Sequence, residues 1–180
     1  MKKILVVVDM QNDFIDGALG TPEARAIVPN VCRKIREGEW DYIYATMDTH
    51  NEEYMDTQEG KKLPVKHCII TEEEYDGWSL NEKIRNALEY VEKYMTHLKT
   101  TFGAIDLGRS IELSHGKDLE ITLVGVCTDI CVISNALLLK SHFPEARIVV
   151  DASCCAGSTP EKHLMALEVM RSCQIDILND

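Results

Sequence analysis

Six short apolar runs constrain the fold of this chain more than any other feature. Four are clear: ILVVVD (4–9), YIYATMD (42–48), ITLVGV (121–126) and RIVVDA (147–152). QIDIL (174–178) and THLKT (96–100) are shorter or more polar. The clear runs are continuous rather than alternating, which is the pattern of parallel strands buried on both faces. Helical patterns lie between them. EARAIVPNVCRKIREG repeats Ile27, Val31 and Ile35 at a spacing of four before Gly38, and Pro29 predicts that the helix proper starts near it. Ser79 and Glu82 read as a capping box ahead of an Ile84, Leu88, Val91 stripe. TDICVISNALLLKSHF is apolar almost all round, as a helix against a central strand would be. Thr159 and Pro160 open a last helix with a Leu164, Leu167, Met170 stripe. Strand and helix alternate throughout, so the expected class is α/β: a three-layer open, mostly parallel sheet with helices on both faces. The polar excursion at 49–78 is longer than an ordinary connection, and such excursions are often functional.

Length and charge narrow the function. The 180 residues suit one domain, 1–180, with a sizeable core. A net charge of −11 argues against nucleic acid or an anionic membrane as partner, since both are met by clustered Lys and Arg. The N-terminal apolar run stops at Asp9, too short for a secretion signal, and no run approaches the ~18 residues of a membrane span. Seven cysteines without regular spacing point to free thiols and a cytoplasmic chain.

In open α/β sheets, ligands bind at the carboxyl ends of strands. There the chain delivers Asp9, then Asp48 with Thr49 and His50, then Lys99, then GVCTDIC, then Asp151 with Ser153, Cys154 and Cys155. An Asp, a Lys and a Cys at one edge can form a nucleophilic site. Cys131 follows Thr128 and Asp129, both good helix caps, so the expectation is a first-turn cysteine. The helix dipole there would lower its pKa, and the free amides there could receive an oxyanion. A small buried side chain is the plain alternative. A metal pair or disulfide from Cys127 and Cys131 is disfavoured, because no second pair stands at ligand spacing. Asp48 and His50, two apart in an extended segment, project to one side and can reach one cation, with His67 closing from the far end of the loop. Those ligands suit zinc, or iron or manganese; a loop of ordinary polar residues is the alternative. No Gly-rich phosphate cradle is present, and Gln11 stands where a phosphatase pattern wants a second Asp. Taken alone, Lys99 reads as a surface lysine.

Three segments in order, VVVDMQNDF, KTTFGA and GVCTDICV, resemble the motifs of the cysteine hydrolase superfamily that contains isochorismatases and nicotinamidases. The resemblance runs from Ile4 to near the C-terminus and implies an isochorismatase-like, Rossmann-like fold. It also implies a triad of Asp9, Lys99 and Cys131, and a non-proline cis peptide at Val126–Cys127 beside the oxyanion site. Asp48, His50 and His67 followed by Cys68 are similar to the metal set of the nicotinamidase branch, with Glu59 as a further ligand. Phe14, Phe102 and Trp78 are the expected pocket walls, and His163 and Cys154 are expected to be structural. Thr49 and the loop after it depart from the branch pattern, which bears on the substrate. The implied activity is hydrolysis of a small amide, nicotinamide first, through a thioester. Another small amide, ureide or carbamoyl compound, isochorismatase-type chemistry, or a non-catalytic binding module are the alternatives. The resemblance further implies a homo-oligomer.

Overall fold

A computed structural model describes residues 1–70 and 77–180, so part of the 49–78 excursion lies outside the described residues. Six parallel strands form one sheet in the order β3-β2-β1-β4-β5-β6. They are β1 Lys2–Val8, β2 Tyr42–Asp48, β3 Tyr94–Lys99, β4 Leu119–Val126, β5 Arg147–Ala156 and β6 Asp176–Leu178. Every apolar run is a strand, and all pairings are parallel.

Two apolar layers sandwich the sheet, because alternate strand residues face opposite sides. Leu5 and Val7 meet Val31 and Ile35 of α2 (Pro22–Glu37) and Ile84 and Leu88 of α4 (Glu82–Val91). Ile4, Val6 and Val8 meet Ile111 of α5 (Leu107–His115), Leu139 of α6 (Ile133–His142) and Met170 of α7 (Pro160–Ser172). The short helices α1 (Asn12–Ile15) and α3 (Gln58–Lys62) lie in the loops after β1 and β2. Among the described residues no helix is long and apolar enough to cross a membrane.

Four local expectations are corrected. Pro29 sits inside α2, not at its start. Thr21 caps the helix with Pro22 in its first turn, and exposed Pro29 is carried by the buried Ile27, Val28, Val31 and Ile35 face. The cap of α4 is Asn81, whose side chain accepts from the Lys83 amide, rather than Ser79. In α7, Leu164 is 61% exposed and Ala166 is buried with Leu167 and Met170. β5 continues to Ala156, so Asp151 lies within the strand rather than at its carboxyl end; it pairs with Lys34 Nζ at 2.7 Å, away from the site below.

Chain order reverses direction between β1 and β4, and a crevice opens at such a switch point. Gly125 lets the two strands meet there. It has φ +123°, and a Cβ at this position would stand 2.1 Å from the Val8 carbonyl oxygen.

Candidate active site

At the end of β1 the chain turns sharply at Asp9, which has a positive φ of +50° and no solvent exposure. Its Oδ1 accepts from Thr46 Oγ1 at 2.7 Å, and its Oδ2 lies 2.7 Å from Lys99 Nζ. Lys99, the last residue of β3, is itself buried, because it reaches inward from an edge strand to this centre. Its ammonium also lies 3.0 Å from Asp48 Oδ1 and 3.7 Å from Cys131 Sγ. Asp9, Lys99 and Cys131 therefore meet, as do Lys99 and Asp48.

Cys131 belongs to a π-helical turn, Thr128–Val132, between β4 and α6. Val132 and Ile130 both donate to the Cys127 carbonyl at 3.0 Å, which forms the turn. Thr128 and Asp129 do not cap it. Asp129 instead accepts from the Ser158 amide and hydroxyl, and Thr128 Oγ1 bonds to His163 Nδ1 at 2.8 Å. The Val126–Cys127 peptide is cis. Buried Asn135 ties the turn to the segment after Lys99. Its Nδ2 donates to the Cys131 carbonyl at 2.8 Å, and its Oδ1 accepts from the Ala104 amide at 2.9 Å.

The thiol differs from the expectation of a lowered pKa. Burial pushes Cys131 well above the ordinary cysteine value, and the neighbouring Asp9 carboxylate adds to this, while Lys99 opposes it. Desolvation of a 5% exposed side chain is the largest influence on this thiol. Burial likewise raises Asp9, against the pull of Lys99. For Lys99, burial would lower the pKa, but Asp9, Cys131 and Asp48 around it raise it, so it remains a cation. The resting arrangement is a thiol beside a carboxylate whose proton affinity burial has increased.

A second cluster adjoins the first through Asp48. One ligand atom from each of Asp48, His50, Glu59 and His67 lies within 4.8 Å of all the others. Both imidazoles present Nε2: His50 stands 2.9 Å and His67 3.5 Å from Asp48 Oδ2, and each stands 3.9 Å from Glu59 Oε1. Ligands at ~2.0–2.1 Å around a tetrahedral ion are roughly 3.4 Å apart, so these separations fit a divalent metal with little movement. His67 Nδ1 lies 2.9 Å from the Val65 carbonyl, which can only accept; the ring proton is therefore on Nδ1, and Nε2 is free to ligate. Burial would raise Asp48, but the two imidazoles facing its Oδ2, which donate to it when protonated with no metal held, and the Lys99 charge hold it below the carboxylate range.

Two residues outside the expected site, Gln11 and Asp13, hold this cluster in place. The Gln11 side chain clasps the backbone of Asp48: Nε2 donates to the Asp48 carbonyl at 2.8 Å, and Oε1 accepts from the Asp48 amide at 2.7 Å. Asp13 Oδ2 accepts from the Cys68 amide at 2.7 Å, next to His67. Gly77 allows this approach, since a Cβ there would stand 2.2 Å from the Asp13 carboxylate. Asp9, Gln11 and Asp13 are spaced by two in DMQND, and that alternation was the signal available.

A chamber of about 150 Å3 opens over Cys131, bounded by Asp48, His67 and Glu59 at one end and by Cys127 near the nucleophile turn. Phe14 and Phe102 are among its walls. Trp78 is not; its indole donates to Thr49 Oγ1 at 2.9 Å and so anchors the loop after β2. Larger clefts on the surface do not contain Cys131, and of the metal cluster only Glu59 lines one of them.

A sequence model of the isochorismatase domain matches residues 3–179. The chain belongs to the isochorismatase family. It is 31% identical to an uncharacterized isochorismatase family protein of Bacillus subtilis, over 93% of each chain. The crystal structure of the Bacillus subtilis nicotinamidase superposes with a TM-score of 0.80 at 27% identity, covering 99% of this chain and 100% of that one. The pyrazinamidase of Pyrococcus horikoshii, in complex with zinc, superposes with a TM-score of 0.76 at 27% identity over 100% of both chains. The family's sheet, read from six apolar runs, is the observed one.

Proposed function

We propose that this isochorismatase-family chain is a cysteine-dependent amidohydrolase that converts nicotinamide to nicotinate and ammonia. One observation carries the reading: Lys99 touches Asp9, Cys131 and Asp48 at once, so the nucleophile and the metal cluster share one small chamber. The nicotinamidase and pyrazinamidase likenesses support the substrate class.

Asp9 takes the thiol proton as Cys131 attacks the amide carbon, and Lys99 keeps the pair from carrying an uncompensated charge. Backbone amides of Cys131 and the Cys127 turn receive the oxyanion. Asp9 then gives the proton to the departing ammonia, leaving a thioester on Cys131. Asp9 next deprotonates water for attack on the thioester, which releases the acid and restores the thiol. Asp48, His50, Glu59 and His67 would hold a divalent ion; its chemistry there is Lewis-acid binding of the substrate's ring nitrogen or of a water. We assign zinc, because two imidazoles with two carboxylates suit it and the Pyrococcus relative is in complex with it. Phe14 and Phe102 flank the ring.

The test is ammonia release from nicotinamide, pyrazinamide and a panel of ureides and carbamoyl compounds, with wild type beside Cys131→Ala. Turnover of nicotinamide that vanishes in the variant supports the reading. Release confined to a ureide or carbamoyl compound would replace the substrate. Silence across the panel with a folded, metal-loaded protein would reject amide hydrolysis.

A further inference from the structure

The chamber over Cys131 is small. Its 150 Å3 lies below the ~300 Å3 at which pockets for drug-sized ligands begin, so it holds one ring and a carboxamide and little more. Yet it is not closed. Four of its residues, Glu59, Leu63, Phe102 and Ile130, also line an open groove of about 520 Å3. The groove continues past them to Gln58, Lys62 and Thr101, and its surface is mainly apolar. Phe14 and Leu19 belong to the chamber alone and close its other side. Phe102 therefore stands on the wall between the two spaces. It remains 45% exposed, although Asn135 holds its carbonyl and the next turn in place. A large aromatic fixed in a half-exposed position on a reactive chamber is surface that a ligand can cover.

We infer that the site accepts ring amides bearing an apolar extension on the acyl side, lodged in the groove between Leu63 and Phe102. This rests on the amidohydrolase reading above. The side follows from the geometry. With the carbonyl at Cys131 and the ring directed to the metal cluster, the groove departs from the wall that includes Glu59, a member of that cluster. Of the shared residues, Glu59 belongs to that cluster and Phe102 flanks the ring, while only Ile130 adjoins Cys131, so most of the shared wall faces the ring rather than the leaving nitrogen. The groove's continuity with the chamber identifies its occupant as part of the substrate.

The experiment compares kcat/KM for nicotinamide, its 5-propyl and 6-propyl derivatives, and N-propylnicotinamide. Each methylene that is buried is worth about a fourfold gain in binding. Binding gained equally by ground and transition states raises kcat/KM. At least one ring-propyl compound should therefore exceed nicotinamide by about tenfold or more, and N-propylnicotinamide should not. Lys62→Trp and Thr101→Trp fill the groove from residues outside the chamber. Either should abolish that preference while leaving nicotinamide turnover within about twofold, less than one methylene's worth. Nicotinamide turnover with no gain for either ring-propyl compound would overturn the groove and leave the amidohydrolase standing. So would a gain that survives both tryptophans. Cys131-dependent turnover of a ring-propyl compound but not of nicotinamide would support the groove and revise the substrate. No turnover of any amide would overturn both readings.

Discussion

Replacing Gln11 by Leu tests whether a side chain that touches no substrate builds the site. Gln11 is fully buried, and its amide group makes three hydrogen bonds: two to the backbone of Asp48 and one, at 2.7 Å, to the Trp78 carbonyl. Leu has nearly the same reach but leaves the buried Asp48 amide and carbonyl without partners. A stripped buried polar group costs roughly 1–3 kcal/mol, so the two Asp48 groups together cost about 2–6 kcal/mol. For a chain of this length about 1 kcal/mol shifts Tm by roughly 2–4 °C, which gives a fall of about 10 °C in a thermal melt. The second readout is metal affinity. Asp48 joins the metal cluster to Lys99, and loss of a group that orients a ligand weakens metal binding about 10–100-fold. Calorimetric titration of the metal-free protein with zinc would measure it. Gln11→Glu retains one acceptor for the Asp48 amide but turns a carboxylate toward two carbonyls, so it should weaken both properties as well. A Gln11→Leu protein with unchanged Tm and unchanged zinc affinity would refute the clasp.

Other outcomes follow from the same structure. Alkylation of Cys131 by iodoacetamide should keep accelerating above pH 9 rather than level off near neutrality, because burial and Asp9 raise the thiol above its ordinary 9.0; a plateau below pH 7 would mean a preformed thiolate. Asp151 is held below its ordinary 3.8 by Lys34, Asn179 and Ser153, in spite of burial. Its folded-state pKa is thus lower than its unfolded one, so its stabilisation is complete above pH 3.8 and lost as pH falls through the folded value. Urea unfolding of Asp151→Asn should show a lower stability at pH 7 and a flatter loss toward pH 3 than wild type. With zinc held as proposed, removing it with a chelator should lower Tm, since an ion at ~100 times its Kd adds about 2.7 kcal/mol; a His50→Ala protein should show no such drop. Gly125→Ala should fail to fold or lose about 3 kcal/mol or more, because the new Cβ meets the Val8 carbonyl and the residue must keep a positive φ; a normal melt would show that β1 and β4 meet differently.

The sequence by itself determined the six strands, their parallel pairing and the order in which reactive residues leave the sheet. Apolar runs declare burial on both faces, and in a parallel sheet so buried ligands bind at the carboxyl ends of the strands. Asp9, Asp48, Lys99 and Cys131 were legible for that reason, and motif resemblance joined them to a triad and a metal set. Chain order alone did not reveal that Lys99 bridges both groups, because an edge-strand lysine reads as a surface residue until its side chain is seen to run inward. Nor could it give the direction in which the Cys131 thiol is pushed. The local signal, a helix start, predicts a low pKa, whereas desolvation by residues scattered over the whole chain pushes it up. Gln11, Asp13 and Asn135 stayed hidden for a related reason: each bonds to the backbone of a segment distant in sequence, and a backbone partner leaves no trace in side-chain identity. Trp78 reads as a wall or as a loop anchor, because aromatic character fits both equally well; only the tertiary structure turns its indole to Thr49. Pattern reports which groups are buried and at which end of a strand they emerge, while distance and desolvation, which set the chemistry, exist only once the chain has folded.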